Sequence, residues 1–204
     1  MLEVKSPWNS EKIGQVETSD EDQIEKILNE VTTVSKLKGT DFPPKNRIEV
    51  LKTFCKKIND NIESLAELAT SEGGKPITDS IIEIKRGAEG VDCCIEVLKS
   101  EAGSVIPMNL NEASSNRLAF TQKEPIGVVL AISAFNHPFN LIIHQIIPAI
   151  ATGCSVIVKP AEDTPLSCKK IVEMLYESGL PKNRCHFVMP DDLALATKLV
   201  SDSR

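Results

Sequence analysis

Ile24, Ile27, Leu28, Val31 and Val34 recur at the spacing of one helix face, behind an acidic first turn, Asp20-Glu21-Asp22, that suits the positive end of a helix. Ser19 is the expected N-cap. The same period returns after Pro43-Pro44, with a helical region opening at Asn46 and presenting Ile48, Leu51, Phe54, Cys55 and Ile58. It resumes through Leu65, Leu68 and Ala69 until Gly73-Gly74 stops it. A further long helix is predicted from about Pro76 to Lys99. Ahead of these helices, Val4 to Val16 reads as a short hairpin turning at Ser6-Pro7-Trp8-Asn9-Ser10.

The texture changes near Gly103. Ser104 to Pro107 and Arg117 to Lys123 read as two strands joined by the polar loop Asn109 to Asn116. From Gly127 short apolar runs alternate with helical ones. The pattern predicts a strand at 128–132, a helix from about Phe139 to Ala151 and a strand at 155–158. A helix from about Leu166 to Glu177, a strand near 185–188 and a helix after Asp191-Asp192 follow. Strands and helices in this alternation make β-α-β units with a parallel sheet, so the expected class is α/β.

Composition narrows the function. The 204 residues include 41% hydrophobic and 25% charged, enough apolar material for a buried core. Lys and Arg number 23 against 29 Asp and Glu, and no basic stripe appears, which argues against a nucleic-acid surface. With only six Phe, one Trp and one Tyr, base-stacking platforms are not expected either. The start, Met1-Leu2-Glu3-Val4-Lys5, has no signal-peptide core. Cysteines at 55, 93, 94, 154, 168 and 185 form no C-x-x-C pair, and no metal site is expected; reduced thiols in a cytoplasmic protein fit best. The apolar stretch Ile126 to Ala151 contains Asn136, His137, Pro138, Asn140, His144, Gln145 and Pro148, so a buried strand and helix is expected in place of a membrane span.

In open parallel sheets ligands gather beyond the carboxyl ends of the strands. Two loops fall there: Ser133-Ala134-Phe135-Asn136-His137-Pro138 and Lys159-Pro160-Ala161-Glu162-Asp163-Thr164-Pro165. Asn136 carries an amide that can donate to an oxyanion, or it is a turn residue bonding its own backbone. Lys159 can bond ribose hydroxyls or phosphate, or is a solvated strand end. Glu162 can accept from a ribose diol, or assists the helix start behind it. His144 reads as a satisfied packing residue, while His137 adjoins Asn136 without a spacing that makes a catalytic pair. His186 beside Cys185 has no third partner. No G-x-G-x-x-G occurs, and Glu72-Gly73-Gly74-Lys75-Pro76 has Pro where a phosphate-binding P-loop needs Ser or Thr.

Glu124-Pro125-Ile126-Gly127-Val128-Val129 with Phe135-Asn136-His137-Pro138-Phe139-Asn140 strongly resembles the aldehyde dehydrogenase superfamily. So do Ile147-Pro148-Ala149-Ile150-Ala151-Thr152-Gly153-Cys154, Val158-Lys159-Pro160-Ala161-Glu162 and Thr164-Pro165-Leu166. Ser71-Glu72-Gly73-Gly74-Lys75-Pro76 and Ser6-Pro7-Trp8-Asn9 extend the match upstream, in the family's order. The resemblance implies a Rossmann-like parallel sheet, incomplete at about three β-α units, behind a helical N-terminal layer and an oligomerisation-type β-hairpin. Residues 1–102 would form the hairpin and helical part of the cofactor domain, 103–124 the oligomerisation segment and 125–204 the first half of the cofactor sheet.

The activity implied is NAD(P)-dependent oxidation of an aldehyde to an acid through a cysteine thiohemiacetal and thioester, with NAD as cofactor, NADP possible, and a homo-oligomeric full-length protein. Asn136 would help stabilise the oxyanion; Lys159, Ala161 and Glu162 would border the adenosine ribose, and Ile132, Ser133, Ala134 and Phe135 would lie along the cofactor. Glu162 favours a free ribose hydroxyl over a 2′-phosphate, and Lys159 offsets this preference. Where the family has a glycine-rich helix start near the pyrophosphate, this sequence has Met189-Pro190-Asp191-Asp192-Leu193-Ala194. The family's Gly-Ser turn, catalytic glutamate and nucleophilic cysteine would follow Arg204, so an N-terminal portion inactive by itself is expected. The alternatives are a noncatalytic nucleotide-binding module or a structural half that assembles with a separate chain.

Overall fold

The computed structural model describes residues 1–38 and 40–204. An antiparallel hairpin of β1 (Leu2–Lys5) and β2 (Lys12–Val16) leads into helices α1 (Glu21–Ser35), α2 (Pro44–Asp60), α3 (Ile62–Gly73) and α4 (Ile77–Ser100). A short ribbon follows, β3 (Val105–Ile106) with β4 (Ala119–Phe120). The rest alternates: β5 (Val128–Ile132), α5 (Asn140–Thr152), β6 (Ser155–Lys159), α6 (Pro165–Glu177), β7 (Cys185–Phe187) and α7 (Leu193–Ser201).

Strands β5, β6 and β7 form one parallel sheet in that order, with Val128 opposite Ser155, Ile132 opposite Lys159 and Val156 opposite Cys185. Side chains alternate across it, as the two-residue period of a strand requires. Val129, Ala131, Val156 and Val158 join the core with Ile142, Ile146 and Ile150 of α5, Ile171 and Leu175 of α6, and the helices α2 to α4 behind them. Val128, Leu130 and Ile157 face the other way, onto Ile24, Leu28 and Val31 of α1 and Leu199 of α7. Helices thus cover both faces, and the continuous apolar run of β6 follows from burial on both sides.

Helix α5 is apolar nearly all round, and its ends are held by buried charge. At its start, Glu83 Oε1 accepts the backbone N–H of Phe139 and of Asn140, each at 2.8 Å. At its end, Arg47 donates to Ala151 O and Arg184 Nη1 donates to Gly153 O at 3.1 Å, while Arg184 also pairs with Asp41. Glu83, Arg47 and Arg184 are all buried. Gly153, at φ +92°, turns the chain out of α5; a Cβ there would meet Arg47 Nη1 at 2.9 Å. Helix α6 repeats the device: Glu72 of α3 accepts from Leu166 N at 2.7 Å and Ser167 N at 2.9 Å. The first amides of a helix lack intrahelical partners, and a carboxylate there also meets the positive end of the helix dipole.

The elements appear where the periodicity puts them, with shifted ends. Asp20, not Ser19, caps α1, closing a capping box with Gln23. Ser19 is diverted because its own N–H donates to Met189 O at 2.6 Å and its carbonyl accepts from Asp191 N at 3.1 Å. Helix α2 opens at Pro44, two residues before the expected Asn46, since proline suits the first helical position, where no N–H is needed. The ribbon strands shrink to two residues each, because Asn111 closes a capping box with Ser114 over a single 3-10 turn inside the loop. His144, expected to pack with its hydrogen bonds satisfied, is exposed on α5, and a Cβ on Gly90 would meet its ring at 3.5 Å.

Replacing Glu72 by Ala strips one buried and one part-buried amide at the head of α6 of their acceptor. The expected loss is about 2–3 kcal/mol, read as a lower denaturation midpoint in urea at unchanged slope. A midpoint matching that of the unsubstituted protein would contradict the capping role.

Candidate functional site

The carboxyl ends of β5 and β6 lie side by side, because Ile132 and Lys159 are register partners. The ladder runs one step further, with Ser133 N donating to Lys159 O at 3.0 Å. Gln145 of α5 reaches back and donates from Nε2 to Ile132 O at 2.9 Å. The two loops named from sequence therefore leave the sheet together. Ile132 is half exposed, Ser133 is buried, and Ala134, Phe135 and Asn136 are open to solvent. Among the described residues no protein group hydrogen-bonds the Asn136 amide, which leaves it available to a ligand.

On the second loop, Lys159 is partly buried and its Nζ donates to Pro160 O at 3.2 Å, one of three ammonium donors. Ala161 is partly exposed and Glu162 is exposed. Thr164 Oγ1 is buried without a partner at the head of α6, and Gln145 Oε1 is likewise unsatisfied.

Helix N-termini behind parallel strands are ready anion sites when their amides are open. Here each is already occupied by a carboxylate of the protein. Glu83 holds the start of α5, Glu72 the start of α6, and Asp192 accepts from Leu195 N at 2.7 Å at the start of α7. Burial pushes the Glu72 carboxyl upward, opposed by the amides it accepts. Of the acidic pair after β7, Asp192 is thus a cap, and the polar side chains at this edge without a capping role are Asn136, Lys159 and Glu162.

Two residues missed at the site are Lys75 and Glu83. Lys75, after α3, pairs with Glu83 Oε2, and its Nζ also lies 3.5 Å from His137 Nδ1. His137 Nδ1 is 3.7 Å from the same carboxylate oxygen. Burial lowers the Lys75 ammonium from its usual range, with Asp79 opposing. Burial also lowers the His137 imidazole, helped by Lys75 and Arg86. The missed signal was periodic: Glu83 stands among Ser80, Ile84, Gly87 and Ala88 on the buried stripe of α4, and Glu72 continues Leu65 and Ala69 on α3.

No thiol stands at these loop ends. Cys55, Cys154, Cys168 and Cys185 are buried, Cys94 is partly buried, and Cys93 is exposed on α4. Burial pushes Cys55 up to about 11 and Cys185 up to about 12, leaving neither as thiolate at neutral pH. Among the described residues no group of three His, Cys, Asp or Glu is placed to hold a metal ion, and no helix is long and apolar enough to cross a membrane.

Residues 1–204 match the model of a family described as the aldehyde dehydrogenase family. A 3-sulfolactaldehyde dehydrogenase of Priestia aryabhattai is 34% identical over 201 residues, which span 98% of this chain and 42% of that protein. An NADP-dependent glyceraldehyde-3-phosphate dehydrogenase from Bacillus halodurans C-125, solved in complex with NADP, superposes with a TM-score of 0.92 at 26% identity, covering 99% of this chain and 42% of that one. A succinate-semialdehyde dehydrogenase from Burkholderia pseudomallei gives a TM-score of 0.89 at 29% identity, covering 98% of this chain and 41% of its own. The chain thus spans less than half the length of these relatives.

With a thiol reagent under native conditions, Cys93 is expected to react first and Cys94 more slowly, with Cys55, Cys154, Cys168 and Cys185 protected until the protein unfolds. Peptide mapping after timed alkylation checks the order, and early modification of Cys168 or Cys185 would refute the burial described.

Proposed function

The chain belongs to the aldehyde dehydrogenase family, and from that premise we propose that it supplies the cofactor-holding and oxyanion-donating side of an NAD(P)-dependent aldehyde oxidation to a carboxylic acid. The reading is carried by the paired strand ends, where the open amide of Asn136 and the ammonium of Lys159 leave adjacent strands of one sheet. When bound, the nicotinamide cofactor would supply the hydride acceptor. The residues fit such a ligand: Lys159 has donors to spare, and Thr164 Oγ1 and Gln145 Oε1 are buried polar atoms without partners.

In this proposal Lys159 donates to ribose hydroxyls, Glu162 accepts from them, Ala161 borders the sugar, and Ile132, Ser133, Ala134 and Phe135 line the dinucleotide. Glu162 favours an unmodified ribose diol, while Lys159 accommodates a 2′-phosphate, so both NAD and NADP are candidate cofactors. The Asn136 amide donates to the oxygen of the aldehyde as negative charge develops there. Segments 1–102 and 125–204 would serve the cofactor and 103–124 assembly. Free thiols throughout suit a cytoplasmic setting.

We further infer that the 204-residue chain alone does not turn over aldehydes, because its cysteines are either buried or carried on α4, away from the strand ends. A second reading, one half of a larger assembly, is favoured by β5. Among the described residues this strand pairs only with β6, and Ile126 beside it is 89% exposed. The ribbon likewise shows Val105, Leu118 and Phe120 to solvent, as an oligomerisation element would.

Calorimetric titration with NAD and NADP tests the cofactor reading. Binding is expected, and Lys159→Met should weaken it about 10-fold or more through loss of a charged hydrogen-bond donor. Absence of binding by both would count against the proposal. The chain with cofactor and a panel of aldehydes should give no NADH or NADPH above background. In any assembly of the chain that does turn over, Asn136→Ala should lower kcat by about 100- to 1000-fold.

A further inference from the structure

The cluster of Lys75, Glu83 and His137 stands beside Asn136, because His137 follows Asn136 in the chain. Its geometry is asymmetric. Glu83 Oε1 is committed to two backbone amides of α5, so its second oxygen carries the pair with Lys75. Lys75 Nζ is then shared with His137 Nδ1 at 3.5 Å. An ammonium has three donors and no acceptor, so as a hydrogen bond this contact uses the lone pair of Nδ1 in a neutral ring with its proton on Nε2, the assignment the proposal takes. A proton added at Nδ1 would set two cationic donors against each other.

We propose that Lys75 and His137 form a proton-linked latch on the loop 133–138: the neutral imidazole, accepting from Lys75, holds Asn136 in place, and protonation of His137 releases it. This rests on the reading of Asn136 as a substrate contact. His137 and Lys75 act as positioning residues. The groups facing the ring are Lys75 from the segment after α3 and Asp79, Glu83 and Arg86 from α4. Lys75 and Arg86 disfavour the imidazolium and Asp79 favours it, while burial adds to the disfavour. The folded protein therefore holds His137 neutral below the ordinary histidine range. Because the unfolded chain takes up the proton first, the latch contributes stability above that range and loses it as pH falls through it.

The test uses the labelled 204-residue chain and requires no turnover. Nitrogen shifts of the His137 ring at neutral pH should report the Nε2–H tautomer; the Nδ1–H tautomer would overturn the proposal. Amide exchange across 133–138 should rise on acidification in step with the His137 titration, and in His137→Phe it should lose that pH dependence. A pH-dependent rise that persists in His137→Phe would also overturn it. In Lys75→Met the freed Glu83 carboxylate faces the ring, so the His137 midpoint should move up by about 1–2 pH units. An unmoved midpoint would refute the role of Lys75; should that variant fail to fold, the tautomer and the His137→Phe exchange decide. Loss of the Asn136 reading would leave these outcomes intact, because it concerns turnover alone.

Discussion

A buried helix end carries backbone amides or carbonyls that neither water nor the helix can satisfy, and this chain answers with charge. Helix α5 lies between the parallel sheet and the helical layer, with Phe139 and Asn140 buried at its start and Ala151 and Gly153 buried at its finish. Glu83 closes its start, and Arg47 and Arg184 close its finish. The signs match the helix dipole, negative at the amino end and positive at the carboxyl end. These contacts also join distant parts of the chain, since Glu83 sits on α4, Arg47 on α2 and Arg184 just ahead of β7. Removing one partner would leave the other groups buried and unmatched, so the three charges constrain the packing of α2, α4 and the sheet together.

The same constraint shapes the ligand edge. In many dinucleotide folds the open amides of a glycine-rich helix start receive phosphate. Here the starts of α5, α6 and α7 are closed by Glu83, Glu72 and Asp192. With these starts closed, the proposed recognition rests on side chains at the strand ends, in keeping with the absence of a G-x-G-x-x-G turn from the sequence. The departure at Met189 to Ala194 accompanies the capping of α7 by Asp192 and the bridging of Ser19 to Met189 and Asp191.

Much of this was legible in the order of residues. Strand β5 lies at its expected bounds, and β6 and α6 deviate by a single residue, because their apolar runs are bounded by glycine, proline or a polar loop. Element ends that depend on distant partners were harder to read. Ser19 has the right chemistry for a cap, yet its backbone is claimed by a segment 170 residues away in sequence. Helix α2 starts early because Pro44 can occupy its first turn. The loops bearing Asn136 and Lys159 could be located from strand ends alone, but their support could not. Lys75 lay in a segment that fails as a P-loop and matches the family without naming a role for the lysine, and Glu72 and Glu83 are carboxylates on otherwise apolar helix stripes. A charged residue at a core position is the signal that was available, since burial without a partner would be prohibitive.

The loop between β5 and α5 shows how these supports act on function. At one end Ser133 is tied to Lys159 by the last bond of the parallel ladder. At the other, Phe139 and Asn140 are tied to Glu83, and Pro138 is buried. Only Ala134, Phe135, Asn136 and His137 lie exposed between the two anchors. A span this short, fixed at both ends by rigid elements, loses little further conformational freedom when a ligand arrives, which is the condition for a preorganised donor. The residual freedom is concentrated at the centre, where Asn136 sits and where His137 makes its contact with Lys75. A single proton on His137 therefore acts on the one part of the loop that the sheet and the helix do not already hold.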